Sequence, residues 1–196
     1  KIQKAQRVLI LAAASGVGLA CIQIAKQLCN ANDIIVVASN KQKIQKAYEM
    51  GATIGIERAN NRQGFKQELI EACGHGVDVV LDCVGKDTAD VVQKVIGVGG
   101  RWVVYGVLSG SKAEVDLQKV LMKRVHILGT TLRARSVEYK DALVAEMGAN
   151  LEPLWRNRQL CANIESVYDM DQVDIAHQRM KRNENAGKML IRIRKQ

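Results

Sequence analysis

The sequence predicts an α/β fold, a doubly wound Rossmann-type six-stranded parallel sheet with a C-terminal β-α-β tail. Three observations carry this. Short apolar runs alternate with segments of helical period. Five of the six candidate strands are near-continuous apolar runs, as expected for strands covered on both faces. A glycine-bearing turn separates the first strand from the first helix, where α/β folds of this kind place their phosphate loop.

Taken in order, Arg7-Val-Leu-Ile-Leu-Ala12 reads as a buried strand. Residues Gly16 to Asn30 carry Val17, Ala20, Cys21, Ile24, Ala25 and Leu28 on one helical stripe. Ile34 to Ala38 is the second strand, and Lys41 to Met50 a helix stopped by Gly51. Thr53 to Glu57 is a weaker strand, and Phe65 to Ala72 a short helix. Val77 to Asp82 is the fourth strand, followed by a helix from Thr88 to Ile96 and a turn over Gly97 to Gly100. Trp102 to Gly106 and Val125 to Gly129 are the fifth and sixth strands, with a helix from Ser136 to about Met147. Beyond residue 150, Ile164 to Val167 and Met189 to Ile193 are β-like, with a helix over Asp171 to Met180 between them. Two strands and one helix bury little core, so this tail is expected to pack on the sheet or to complete another domain.

The chain has 196 residues, 47% apolar and 25% charged, which excludes disorder, collagen and coiled coil. Its longest apolar run, Val8 to Ala14, is far short of a membrane-spanning helix. The net charge of +9 suits an anionic partner, but the charge is scattered and aromatics are only 4%. That composition disfavours base-stacking nucleic-acid platforms and points to a phosphate-bearing small molecule. The five cysteines include no CxxC pair, which argues for free thiols in a reducing compartment, read as the cytoplasm. The histidines at 75, 126 and 177 cluster neither together nor with cysteine pairs, so no metal site is expected.

Ala13-Ala-Ser-Gly-Val-Gly18 keeps only the last glycine of a GxGxxG pattern. Gly16 and Gly18 still permit close backbone approach, and Ser15 adds a hydroxyl at the helix N-terminus, so a diphosphate can be seated there. The second strand ends in Ser39-Asn-Lys-Gln-Lys43, with no acid to bind a ribose 2′-hydroxyl. A serine and lysines suit a 2′-phosphate, which selects NADPH over NADH. The same Ser39-x-x-Gln42 also reads as a capping box for the next helix.

Five stretches carry a resemblance. They are Ala-Ala-Ser-Gly-Val-Gly-Leu-Ala (13–20), Val-Asp-Val-Val-Leu-Asp-Cys-Val-Gly (77–85), Gly-Gly-Arg-Trp-Val-Val-Tyr-Gly-Val-Leu-Ser-Gly (99–110), Gly-Thr-Thr-Leu-Arg-Ala-Arg-Ser (129–136) and Ala-Gly-Lys-Met-Leu (186–190). In this order they resemble the quinone oxidoreductase, or zeta-crystallin-like, branch of the zinc-free medium-chain dehydrogenase/reductase superfamily. The resemblance implies that residues 1–150 form an NADP-binding domain. It implies that residues 151–196 are a tail completing a GroES-like catalytic domain whose N-terminal part is absent from this chain. It further implies that Ser15, Gly16, Val17 and Gly18 contact the pyrophosphate and that Ser39 and Lys43 hold the 2′-phosphate. Gly106, Val107 and Leu108 would line the nicotinamide side, Thr131, Leu132 and Arg133 would close over it, and Asn185 would reach the cofactor from the tail. Arg58 stands where the family usually has a tyrosine, and is expected either to join the phosphate clamp or to be an unrelated surface charge.

The function this implies is NADPH-dependent reduction of a quinone or an α,β-unsaturated carbonyl by hydride transfer. No catalytic residue can be named in this chain, so the chain alone is expected to bind cofactor with little turnover. The rival expectation is a non-catalytic nucleotide- or RNA-binding, crystallin-like module. A homodimer paired through the sheet edge at 125–129 is expected, because an uncovered edge strand needs a partner.

Overall fold

The computed structural model describes residues 2–58 and 62–193. One sheet is built from β1 (Val8–Ile10), β2 (Ile34–Ala38), β3 (Ile54–Glu57), β4 (Val77–Asp82), β5 (Ile96–Val104) and β6 (His126–Gly129). Its order is β3-β2-β1-β4-β5-β6 and every pairing is parallel. The predicted doubly wound sheet is therefore present. Parallel neighbours cannot be joined by a tight turn, so each connection is a crossover. These crossovers carry α1 (Gly16–Gln27), α2 (Lys41–Glu49), α3 (Arg62–Cys73), α4 (Ala89–Val95) and α5 (Leu117–Lys123).

The period of two along each strand sorts the core onto two faces. Val8, Ile10, Ile34, Val36 and Val79 pack with Leu19, Ile22, Ile44 and Ala47 of α1 and α2. Leu9, Ile35, Val37 and Val80 pack with Phe65, Leu69, Val91 and Val95 of α3 and α4. Strands buried on both faces read as unbroken apolar runs, which is why β1 and β2 are legible in the sequence. At the N-terminal edge of the sheet, Arg7 pairs with Asp33 at 2.7 Å and donates to the carbonyls of Gly76 and Ala72. It thereby ties the strand start to the end of α3.

Several boundaries differ from the sequence reading. The predicted turn over Gly97 to Gly100 is the first part of β5, which pairs at Val77↔Ile96 and, after a register shift, at Val79↔Arg101. The glycines accommodate that irregularity and so imitate a turn. Helix α5 has no counterpart among the predicted elements; all of its residues are exposed or half-exposed, so no apolar stripe reveals it. Asp116 starts it, accepting from the amides of Gln118 and Lys119. The next helix, α6 (Val137–Arg156), runs well past Met147 and through residue 150, with Leu151 as its buried residue. The tail consists of β7 (Ile164–Asp169), a short 3-10 turn, α7 (Val173–Lys181) and β8 (Lys188–Arg192), with β7 and β8 paired in parallel.

Candidate functional site

The strand order reverses between β1 and β4, and the crevice at the carboxyl ends of these strands is where such sheets bind ligands. On the β1 side the chain turns sharply, with Ala12 at φ 51° and the Ser15 amide donating to the Ala12 carbonyl at 3.0 Å. Ser15 caps α1, its Oγ accepting from the Gly18 amide at 3.0 Å. Gly18 is required here. A Cβ on it would stand 2.5 Å from the Ala13 carbonyl oxygen, so only glycine lets α1 lie this close to the loop. The first turn of α1 holds no acid, which leaves its partial positive charge uncompensated.

On the β4 side, Asp82 is fully buried and organises the loop that follows. Its carboxylate accepts from the amides of Val84 and Gly85 at 2.7 and 3.0 Å and from the Trp102 indole at 2.9 Å. Sequence reasoning misses this role of Asp82. An aspartate ending an apolar strand just before a Val-Gly pair is the available signal. Gly106 then packs against Cys83, and the amides of Leu108 and Ser109 donate to the carbonyls of Cys83 and Val84. Val107 and Leu108 are held at the crevice rim with their side chains exposed.

At the end of β2, Asn40 rather than Ser39 is the cap of α2, its Oδ1 accepting from the Lys43 amide at 2.9 Å. This corrects the capping-box reading of Ser39: the cap forms one residue later, where the backbone is extended. Ser39 Oγ is thereby left buried without a hydrogen-bond partner. A buried hydroxyl without a partner is costly unless a ligand completes it. The Arg58 amide donates to the Ala38 carbonyl at 2.7 Å, so Arg58 leaves β3 directly beside this position. In the first turn of α2, the Lys43 ammonium donates to Asn183 of the tail, and burial pulls its pKa down.

The tail closes the near side of the crevice. The Gly187 amide donates to the Ala14 carbonyl at 2.8 Å, and Gly187 bridges to Ser15. The side-chain amide of Gln23 pairs with the backbone of Cys161 at 3.1 and 2.8 Å. Asn185 donates to the Gly187 carbonyl at 3.3 Å, adjacent to these contacts. Thr131, Leu132 and Arg133 follow β6 as an exposed loop, on the β6 side of the sheet. The sequence therefore locates the loops at the strand ends but not the contacts of Asn183, Gly187 and Lys188 across the crevice.

A separate cavity of about 610 Å³ is lined by Lys66, Lys86, Asp87, Asp90, Lys112 and Glu114. Its three cations and three anions balance, and Lys66 pairs with Asp90 at 2.8 Å, so it offers no net field to an anion. The crevice is the better candidate. Among the described residues no three His, Cys, Asp or Glu side chains cluster as metal ligands, and no helix is long and apolar enough to cross a membrane.

Residues 16–148 match a protein-family model described as zinc-binding dehydrogenase. The quinone oxidoreductase-like protein 2 homolog of Nematostella vectensis is 28% identical over 97% of this chain and 51% of its own length. The quinone oxidoreductase of Lama guanicoe is 26% identical over 95% of this chain and 54% of its own length. The chain thus spans about half the length of the curated relatives it matches. Among solved structures, the quinone oxidoreductase of Thermus thermophilus, determined alone and with NADPH, superposes with a TM-score of 0.81. The match covers 97% of this chain and 59% of the other at 23% identity, a likeness that shows the fold.

Proposed function

This chain belongs to the zinc-binding dehydrogenase family, and from that premise we propose that it is the cofactor-binding part of an NADPH-dependent oxidoreductase that reduces quinones or α,β-unsaturated carbonyls. The observation that carries the cofactor choice is the buried, unpartnered Ser39 Oγ at the end of β2. No carboxylate follows this strand before α2, so nothing there repels a 2′-phosphate.

The residues present fit the group. Ser15 to Gly18 seat the diphosphate on amides at the start of α1, where two positions lack a Cβ. Ser39 and Lys43 hold the 2′-phosphate, with Arg58 at its flank. Gly106, Val107 and Leu108 line the nicotinamide side, Thr131, Leu132 and Arg133 close over it, and Asn185 approaches from the tail. The exposed Val107, Leu108 and Leu132 serve to exclude water once covered. Bound there, the dihydronicotinamide supplies a hydride. No residue of this chain is assigned a catalytic role. Hydride transfer in this reading is zinc-independent, as the likeness to the zinc-free branch implies.

In this reading residues 1–150 form the binding domain and residues 151–196 the tail that completes a GroES-like catalytic domain, the passage between them falling inside α6. The pair β7–β8 supports it: a two-stranded sheet exposing Val167 and Leu190 needs a further partner to be stable. The protein is a homodimer paired through β6, whose Ile127 and Leu128 are each nearly half exposed at the sheet edge. Five free thiols suit the reducing cytoplasm.

Titration with NADPH and NADH side by side tests the reading. NADPH binding at least ~10-fold tighter, and weakened by Ser39→Ala, is expected. Equal or tighter NADH binding overturns the phosphate assignment.

A further inference from the structure

Lys43 is 5% exposed, an unusual depth for an ammonium side chain. Its backbone is fixed by the cap of α2, where Asn40 Oδ1 accepts from the Lys43 amide at 2.9 Å. The ammonium is held by two neutral oxygens of one tail residue, the Asn183 carbonyl at 2.6 Å and Oδ1 at 2.8 Å. Glu165 also favours the charge, but its carboxylate pairs with Arg179 at 3.0 Å, and burial outweighs that help. Lys43 is thus a buried cation on neutral acceptors.

Asn183 is shaped for this contact. Helix α7 closes with the Asn183 amide donating to Met180 at 3.0 Å and the Glu184 amide to Arg179 at 3.1 Å. Asn183 itself is left-handed at φ 54°, as in the common helix ending where the residue past the cap reverses the chain. Asparagine tolerates that conformation better than most residues. The turn presents a backbone and a side-chain oxygen to one ammonium, at the negative end of α7.

An ammonium has three protons, and Asn183 takes two of them. A dianionic phosphate is a stronger acceptor than either amide oxygen, but it cannot take protons that Asn183 keeps. We infer that Asn183 is a specificity-determining residue, whose two oxygens compete with the 2′-phosphate for Lys43 and so set the margin of NADPH over NADH. The inference rests on the assignment of Lys43 to the 2′-phosphate and adds a coupling to it. NADPH displaces a tail contact that NADH leaves intact. By reciprocity, whatever tightens this contact lowers affinity for NADPH alone.

Titration of the full chain with NADPH and NADH tests this in two variants of Asn183. Asn183→Asp sets a carboxylate against the ammonium and is expected to weaken NADPH ~10-fold or more, with NADH unchanged. Asn183→Gly keeps the left-handed backbone, removes Oδ1 and is expected to tighten NADPH about 5-fold, again with NADH unchanged. In the wild type, NADPH at saturation is expected to speed amide exchange over residues 179–185, and NADH is not. In a Lys43→Met background, Asn183→Asp is expected to have no further effect on NADPH. If either Asn183 variant shifts both cofactors equally, the residue acts through tail docking and the competition is wrong. If Asn183→Asp leaves NADPH unchanged while Lys43→Met weakens it, the competition fails and the phosphate assignment stands. If Lys43→Met leaves NADPH affinity unchanged, Lys43 does not hold the phosphate, and assignment and competition fall together.

Discussion

The ammonium of Lys43 donates to both oxygens of Asn183, the backbone carbonyl at 2.6 Å and the side-chain Oδ1 at 2.8 Å. These residues are 140 positions apart, and Asn183 holds a left-handed backbone at φ 54° to present both oxygens. The contact ties the start of α2 to the tail, beside the position assigned to the 2′-phosphate. Asn183→Gly keeps the backbone conformation and the carbonyl but removes Oδ1. It is expected to cost about 1 kcal/mol of tail docking and to speed amide exchange over residues 164–193. Unaltered exchange there would show that the latch contributes nothing.

Replacement of Gly18 is predicted to be severe. In Gly18→Ala the new methyl meets the Ala13 carbonyl, a backbone atom that cannot swing aside. Destabilisation of about 1–3 kcal/mol is expected from chemical denaturation, together with weaker NADPH binding. A variant as stable as the wild type would mean that the loop relaxes freely.

Asp82 offers a test of the loop after β4. Asp82→Ala strands the amides of Val84 and Gly85 and the indole of Trp102, all of which it now satisfies. A loss of about 3 kcal/mol or more is expected. Asp82→Asn retains one acceptor and is expected to lose less. Equal losses in the two variants would contradict this account of the carboxylate.

The thiols give a pH signature. Burial pushes the pKa of Cys21 and Cys73 up from the ordinary 9.0 to about 11, and burial with the neighbouring Cys83 thiol raises Tyr105 as well. The folded state therefore keeps protons that the unfolded state releases, so this contribution is fully present below pH 9 and is lost as pH rises towards about 11. Burial of Lys43 and Lys123 acts in the opposite sense, since lowered amine pKa values relieve a penalty as pH rises. With the acidic groups more numerous and more strongly shifted, net stability is expected to fall across that window. At pH 8, alkylation should modify the exposed Cys161 well before Cys21 or Cys73.

The proposed dimer has its own test. Ile127→Lys combined with Leu128→Lys places charges on both faces of the β6 edge and is expected to yield monomers in sedimentation. A monomeric wild type would overturn the dimer directly.

The sheet is legible because burial on both faces leaves a local mark. Val8–Ile10 and Ile34–Ala38 are apolar at every position, and the alternation into two cores follows from strand geometry alone. The turn that opens α1 is legible through Ser15, Gly16 and Gly18, where Ser15 caps the helix three residues on and a Cβ on Gly18 would meet Ala13. By contrast, α5 and the second half of α6 carry no clear apolar stripe, and the glycines that begin β5 imitate a turn.

The site divides along the same line. The sequence by itself determined the strand order's raw material, the glycines at the start of α1 and the absence of an acid after β2. Only the tertiary structure decided that Asn40 takes the cap and frees Ser39, that Asn183 engages Lys43, and that Gly187 and Lys188 lie over Ser15 and Gly16. The physical reason is the range of the interactions. Capping and strand burial are written in adjacent residues, whereas the tail meets the rest of the crevice across 140 positions and more, and no local pattern encodes which distant hydrogen bonds such a docking will form.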